Sequence, residues 1–456
     1  MNRVTKRTWL MGLFIAILLG GMVFFLFEYM TQAGDWVSAQ GSPHVYQNTN
    51  IGCGTITDNS GQMLLDLTQG RTYAQDPLLR KATLHWLGDR NGSIHAAAVS
   101  HYAGAMVGFD KINGVYNSDG SDGMATLTIS GNIQKTALNA LNGRKGTVAV
   151  YNYKTGQILC AVTAPTFDPD NVPDITGDNS GAYEGVYMNR FIQSSYIPGS
   201  IFKIVTTAAA LDHVPGIEDM TFTCYGKIEY GTEAVTCEQA HGTVTLKQAL
   251  GRSCNCAFAQ VAELVGKKTM TEYVKQLQVT DSLSFDGITT AKGHFDVSQT
   301  APVSFAWSCI GQYTDQINPA RFMTLMGAIA AGGKGAEPYL VEQVVSGGKV
   351  TYQAKTHYTD RLLSEQTAET LRDYMRNAVT NNYGDGNFPG LNVCAKSGTS
   401  ELGGGKKSNA MFAGFVADEA YPLAFICVVE NAGYGSHNCV PIMSQVLGAC
   451  KSEMDR

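Results

Sequence analysis

The sequence predicts an α/β fold of the α+β type, an antiparallel sheet flanked by helices. Two groups of period-2 runs carry that reading. Residues 147–162 alternate on either side of Lys154-Thr-Gly156 and form a hairpin by pattern, and residues 393–399, 411–416 and 423–429 read as an antiparallel meander. Between these groups the periodicity is mainly helical, and residues 440–451 suit a last helix covering the sheet. Fifty glycines point to many turns and edges rather than a long helical rod.

Taken in order, the chain opens with Arg3, Lys6 and Arg7, followed by a charge-free run over 9–27 about as long as a bilayer-spanning helix requires. The basic residues leave 1–8 as a cytoplasmic tail, make 9–30 a membrane anchor and export the rest. A cleaved signal peptide ending at Thr31-Gln-Ala33 is the alternative, but the apolar run is longer than a usual signal core. Residues 31–145 read as a small pedestal domain. It has a strand, turn and strand over 54–65, a helix over 77–87, and a strand over 125–129 that leads into a helix over 132–141. A larger unit, 146–456, follows. With a net charge of −6, nucleic acid is excluded as the main partner.

The stretch Tyr196-Ile-Pro-Gly-Ser-Ile-Phe-Lys203 organises the larger unit. Pro198 and Gly199 break what precedes them, and the alanine-rich run over 201–211 reads as a buried helix with Ser200 at its N-terminus. Lys203, three residues on, falls on the same face as Ser200. A serine becomes a nucleophile when a neighbouring base takes its proton, and a lysine is such a base if burial lowers its pKa. The helix start also offers unpaired N–H groups where an oxyanion would form. A lone Ser-x-x-Lys is expected roughly once or twice by chance in a chain of this length. Ser346-Gly-Gly-Lys349 is such a case, lying in a turn between strand-like runs. The pattern therefore gains weight only from partners downstream.

Two such partners follow. Ser253-Cys254-Asn255 lies on a tight loop between helical runs at 245–250 and 256–265, where a hydroxyl and a carboxamide can both face a cleft. Lys396-Ser397-Gly398-Thr399 closes an apolar strand, and its glycine allows close approach of backbone or ligand. Lys154-Thr-Gly156 has similar letters but sits in a hairpin turn.

The eleven cysteines are an odd number, so at least one is unpaired. Cys224 and Cys237 flank a short hairpin-like stretch, and both a disulfide and free thiols fit them. Cys254-Asn-Cys256 lacks a second Cys or His pair with ligand spacing, so no metal is expected. No cofactor is expected either.

Ser-x-x-Lys on a helix, Ser-x-Asn on a loop and Lys-Ser/Thr-Gly on a strand, in that order, resemble the motif set of penicillin-binding proteins and serine β-lactamases. Asn189-Arg190, the run His241-Gly-Thr-Val-Thr-Leu-Lys-Gln-Ala-Leu250, Ile310-Gly-Gln312 and Asn318-Pro-Ala320 narrow the likeness to class B penicillin-binding proteins. Gly54-Thr-Ile-Thr-Asp58 resembles the strand that opens the pedestal of that class. The resemblance implies the serine β-lactamase/penicillin-binding transpeptidase fold on a dimerisation-type pedestal, and D,D-transpeptidation of D-Ala-D-Ala stem peptides of peptidoglycan. It makes Ser200 the nucleophile and Lys203 its base, with Ser253 relaying a proton, Asn255 holding the substrate amide and Lys396 tuning the network. Ser397, Gly398 and Thr399 would bind substrate, the two hydroxyls taking its carboxylate, and the N–H groups of Ser200 and Thr399 would form the oxyanion hole. β-Lactams are the implied covalent inhibitors, and a glycan-polymerising membrane protein is an implied partner. The alternatives are a D,D-carboxypeptidase or β-lactamase-type hydrolase and, from another class, a β-lactam-binding sensor or a non-catalytic scaffold.

Overall fold

The computed structural model describes residues 2–39, 42, 45–47, 49–116 and 123–456. Its centre is a five-stranded, wholly antiparallel sheet in the order Ile158–Ala164, Gly146–Asn152, Leu423–Val429, Asn409–Val416, Val393–Ser400. The hairpin and the meander expected from the sequence are thus joined through the pairing of Leu423–Val429 with Gly146–Asn152. Alternate residues face two cores. Val148, Val150, Phe412, Phe425 and Cys427 pack with Ile133, Ala137, Ile442, Met443 and Val446 on one side. Ala149, Tyr151, Ala413, Phe415 and Ile426 join Phe322, Met326 and Ile329 on the other. Burial on both faces explains why these strands read as nearly continuous apolar runs.

The helices Gly131–Leu141 and Gly435–Met454 cover the first face, and Lys203–His213, Pro319–Ala330 and Glu365–Ala378 lie on the second. A six-stranded sheet builds the N-terminal region, in the order Lys349–Gln353, Val341–Ser346, Met124–Leu127, Thr55–Thr57, Met63–Asp66, Thr72–Tyr73. Two features therefore cross the break drawn at 146. The hairpin around Ser346-Gly-Gly-Lys349 pairs with Met124–Leu127 of the smaller sheet, and Gly131–Leu141 packs against the C-terminal helix.

The helix Asn2–Val37 contains, over Arg3–Gly34, one segment long and apolar enough to cross a membrane, with a mean hydropathy of 2.7. Its large apolar side chains from Trp9 to Phe27 are exposed in the isolated chain, as an anchor that lipid covers requires. At its far end Tyr29 donates to the Lys111 carbonyl and Lys111 to the Met30 carbonyl, at 2.8 and 2.6 Å.

Candidate active site

Ser200 lies in a tight turn, Gly199–Phe202, that runs directly into the helix Lys203–His213. In a turn of three residues per revolution, positions i and i+3 eclipse, so Lys203 projects over Ser200 more directly than an α-helix alone would place it. The turn is anchored by its backbone. The Gly199 N–H donates to the Gly311 carbonyl at 2.7 Å, and Gln312 donates to the Thr399 carbonyl at 3.0 Å. Gly398 faces the turn, where a Cβ would stand 2.7 Å from the Pro198 carbonyl oxygen, so the expected close backbone approach at this glycine is with the Ser200 turn itself. Asn318 caps Pro319–Ala330 and donates to the carbonyls of Phe191, Ile192 and Ser194, while Arg190 and Tyr196 both bond Glu430 at 2.8 Å. The words Asn189-Arg190, Ile310-Gly-Gln312 and Asn318-Pro-Ala320 thus serve as scaffolding for the segment that presents the serine.

Lys203 is fully buried, and its Nζ lies 2.9 Å from Ser200 Oγ and 3.1 Å from Ser253 Oγ. The same nitrogen donates to the Ser253 carbonyl at 2.9 Å and to Asn255 Oδ1 at 2.7 Å. Those two partners are acceptors only, so they use both N–H bonds of a neutral amine and leave its lone pair to the hydroxyls. Burial, reinforced by the charge of Lys396, pushes the Lys203 pKa well below its ordinary value. Ser253 holds a left-handed backbone, φ 55°, at the end of the helix Leu246–Arg252, and the next helix, Asn255–Val265, starts at once. This aims both the Ser253 hydroxyl and the Asn255 amide at Lys203.

Lys396 is also fully buried, and burial brings its amine down to about 7. It donates to the Ser397 carbonyl at 2.9 Å and to Tyr383 Oη at 3.3 Å. Tyr383, which the sequence reading gave no role, ends a widened turn over Val379–Tyr383. Its hydroxyl accepts from the Ser397 N–H and lies 2.9 Å from Ser397 Oγ. With acceptor bonds already filled by Lys396 and Ser397 N–H, the phenol proton goes to Ser397 Oγ, which leaves the serine proton for a ligand. Thr399 Oγ1 is treated alike, accepting at 3.2 Å from the Gly435 N–H at the start of the C-terminal helix. Two hydroxyls whose acceptor side faces the protein present donors outward, an arrangement suited to an anion.

Ser200, Ser253, Asn255, Ser397 and Thr399 line one cleft of about 710 Å³, with Trp307, Gln312 and Tyr383 on its walls. Lys203 and Lys396 stand behind it, and Gly398 seals it against the Ser200 turn. All eight residues singled out in the sequence are therefore brought together, while Lys154-Thr-Gly156 and Ser346-Gly-Gly-Lys349 remain in turns elsewhere. The Sγ atoms of Cys224 and Cys237 lie 3.7 Å apart, with no disulfide bond between them.

A helical fold around a buried antiparallel sheet, with a serine in its cleft backed by a buried lysine, defines a serine acyltransferase of the penicillin-recognising type. The family model of the penicillin binding protein transpeptidase domain matches residues 146–448, and the chain belongs to that family. Among its relatives is the peptidoglycan D,D-transpeptidase PbpA of Mycolicibacterium smegmatis, 29% identical over 349 residues that cover 69% of each chain. Stage V sporulation protein D of Bacillus subtilis is 27% identical over 66% of this chain and 48% of its own. Among solved structures, the D,D-transpeptidase domain of a peptidoglycan glycosyltransferase from Eggerthella lenta superposes with a TM-score of 0.76 at 26% identity, covering 88% of this chain and 98% of the other. The ceftriaxone acyl-enzyme complex of penicillin-binding protein A from Mycobacterium tuberculosis superposes with a TM-score of 0.75 at 23% identity, over 87% of this chain and 98% of that one.

Proposed function

We propose that this chain is a peptidoglycan D,D-transpeptidase that cross-links stem peptides through an acyl-enzyme on Ser200. The observation that carries the reading is the placement of a buried, low-pKa Lys203 amine 2.9 Å from Ser200 Oγ and 3.1 Å from Ser253 Oγ. Ser200 gives its proton to Lys203 as Oγ bonds the carbonyl carbon of the penultimate D-alanine. The N–H groups of Ser200 and Thr399 stabilise the oxyanion. When the C–N bond breaks, the proton passes from Lys203 through Ser253 to the departing D-alanine nitrogen. An acceptor amine then attacks the ester, returns a proton to Ser200 Oγ and forms the cross-link. Asn255 orients the substrate amide, Lys396 tunes the proton network, and the outward hydroxyls of Ser397 and Thr399 take the terminal carboxylate.

β-Lactams acylate the same serine. The N-terminal helix anchors the protein with residues 1–8 in the cytoplasm and the cleft outside, where a glycan-polymerising membrane protein would supply its strands. The test is intact-mass spectrometry with penicillin, together with D-alanine release and cross-linked product from a defined acceptor. A penicilloyl adduct is expected on the wild type and none on Ser200→Ala; an adduct on the variant would overturn the assignment.

A further inference from the structure

Along the chain, Cys254-Asn-Cys256 lacks partners at ligand spacing. The fold supplies them from a ribbon upstream. The strands Thr221–Cys224 and Gly242–Thr245 pair with each other, as do Lys227–Tyr230 and Glu233–Thr236, and together they bring Cys224, Cys237 and His241 beside Cys254. The three Sγ atoms and the histidine ring nitrogen all lie within 4.8 Å of one another. Cys224 Sγ is 3.7 Å from Cys237 Sγ and 3.5 Å from His241 Nδ1, and Cys237 Sγ is 3.9 Å from Cys254 Sγ. Around a tetrahedral zinc with Zn–S of about 2.3 Å and Zn–N of about 2.0 Å, neighbouring sulfurs stand roughly 3.8 Å apart and a sulfur and nitrogen roughly 3.5 Å. A disulfide would need sulfurs about 2.0 Å apart and would leave His241 and Cys254 without a purpose.

We propose that Cys224, Cys237, His241 and Cys254 form a tetrahedral zinc site that clips this ribbon onto the loop carrying Ser253 and Asn255. Three thiolates and an imidazole are a donor set that selects zinc over harder cations. The surroundings favour thiolates. The Cys256 N–H donates to Cys237 Sγ at 3.3 Å, and Cys254 Sγ caps the helix Asn255–Val265, accepting from the Ala257 N–H at 3.4 Å. Cys256 Sγ also approaches Cys237, at 3.5 Å, but stands outside the mutually close set of four and turns toward the Val235 carbonyl.

The site has a mechanical consequence for the cleft. Cys254 is the middle residue of Ser253-Cys254-Asn255, and Asn255 Nδ2 donates at 2.7 Å to the carbonyl of Thr236, the residue before Cys237. A metal bonded to both Cys237 and Cys254 would hold Ser253 in its left-handed conformation and fix three of the four contacts of Lys203 Nζ, those to the Ser253 carbonyl, Ser253 Oγ and Asn255 Oδ1. Zinc here is a positioning group. It reaches the reaction only through Ser253 and Asn255, and that part of the proposal rests on the function assigned above.

The experiment uses the full chain in detergent, purified without chelator. Elemental analysis is expected to find one zinc per chain, lost in Cys237→Ser and Cys254→Ser and retained in Cys256→Ser. Because a variant that misfolds would lose metal for the wrong reason, the wild type is also stripped and titrated with Co²⁺. Tetrahedral cobalt bands with intense thiolate charge transfer, saturating at one ion per chain and abolished by Zn²⁺, are expected. Labelling of Ser200 by a fluorescent penicillin should slow at least tenfold on stripping and recover with Zn²⁺. Metal-free protein whose cobalt spectrum lacks thiolate bands would overturn the site, as would a native Cys224–Cys237 disulfide. Zinc that survives Cys254→Ser but not Cys256→Ser would overturn the donor set. Zinc content without any penicillin labelling would instead count against the transpeptidase reading, and bound zinc whose removal leaves labelling unchanged would overturn the positioning role alone.

Discussion

Replacing Lys396 with methionine is expected to stabilise the fold at neutral pH while disabling the site. Burial lowers the Lys396 amine from its ordinary 10.5 to about 7. At pH 7 the unfolded chain holds this proton and the folded chain resists it, which lowers stability by roughly 4 kcal/mol. The sign follows from the direction of the shift: the penalty is absent above the unfolded value near 10.5, grows as pH falls, and levels off below about 7. Methionine fills similar volume without the charge, at the expense of hydrogen bonds to Tyr383 Oη and the Ser397 carbonyl, worth about 1–2 kcal/mol together. The net gain at pH 7 is therefore roughly 2–3 kcal/mol, or about 3–5 °C for a domain of this size. Near pH 10 the wild-type penalty has fallen below about 1 kcal/mol, and the advantage should vanish. Thermal unfolding of both proteins in one detergent at pH 7 and pH 10 measures the difference, and penicillin labelling should fall about a hundredfold or more in the variant. A Lys396→Met protein less stable than wild type at pH 7, or a gap that does not close toward pH 10, would refute the claim that Lys396 is a buried, destabilising amine.

Lys203 is expected to act as a neutral base, so penicillin acylation should rise with pH through its lowered pKa, and Lys203→Arg, protonated at any usable pH, should keep less than about a tenth of the rate. Tyr383→Phe removes the donor to Ser397 Oγ and the acceptor for Lys396 and the Ser397 N–H, and should raise KM for a substrate with a free carboxylate about tenfold, with a smaller loss for its amide. Equal losses for acid and amide would place Tyr383 outside carboxylate recognition. The penicilloyl ester should outlast removal of free drug by far more than seconds, because none of Glu263, Glu272, Glu337, Glu342, Glu365 and Glu369 has an Asn four residues later, so none resembles the water-activating Glu of the Glu-x-x-x-Asn loop of class A β-lactamases. Rapid decay with repeated drug hydrolysis would move the assignment to a hydrolase.

The sequence made the central sheet legible because its strands are buried on both faces, which leaves runs such as 411–416 and 423–429 too apolar to be loops. It also gave the order of the three motifs, and all eight residues converge on one cleft. The hairpin Val341–Ser346 and Lys349–Gln353 was visible as two strand-like runs, but its partner, Met124–Leu127, lies far upstream, and pairing at that range leaves no local signature. Tyr383 was hidden for another reason. Its role depends on where a widened turn delivers one hydroxyl, and the only local signal was the Tyr-Gly-Asp-Gly break that separates the helix Glu365–Ala378 from the strand Val393–Ser400. The cysteine cluster leaves no local signature, because the companions of Cys254 arrive on a ribbon folded from residues upstream.

The features that a stability criterion alone would remove are those the proposed reaction would use. Two lysines are fully buried, and Ser253 occupies a left-handed conformation that non-glycine residues avoid. Each is held by neighbours drawn from different segments. Lys203 is tied to Ser253 and Asn255, Lys396 to the end of another helix through Tyr383, and the Ser200 turn to the loop after Ile310 and to the edge strand. The last of these contacts are made by backbone, through Gly199, Gly311 and Thr399, so the distance between the nucleophile and the strand opposite it does not depend on any flexible side chain except Gln312. On the proposed mechanism, that rigidity would keep a neutral amine, two hydroxyls and a pair of N–H groups aligned while an ester forms and breaks between them.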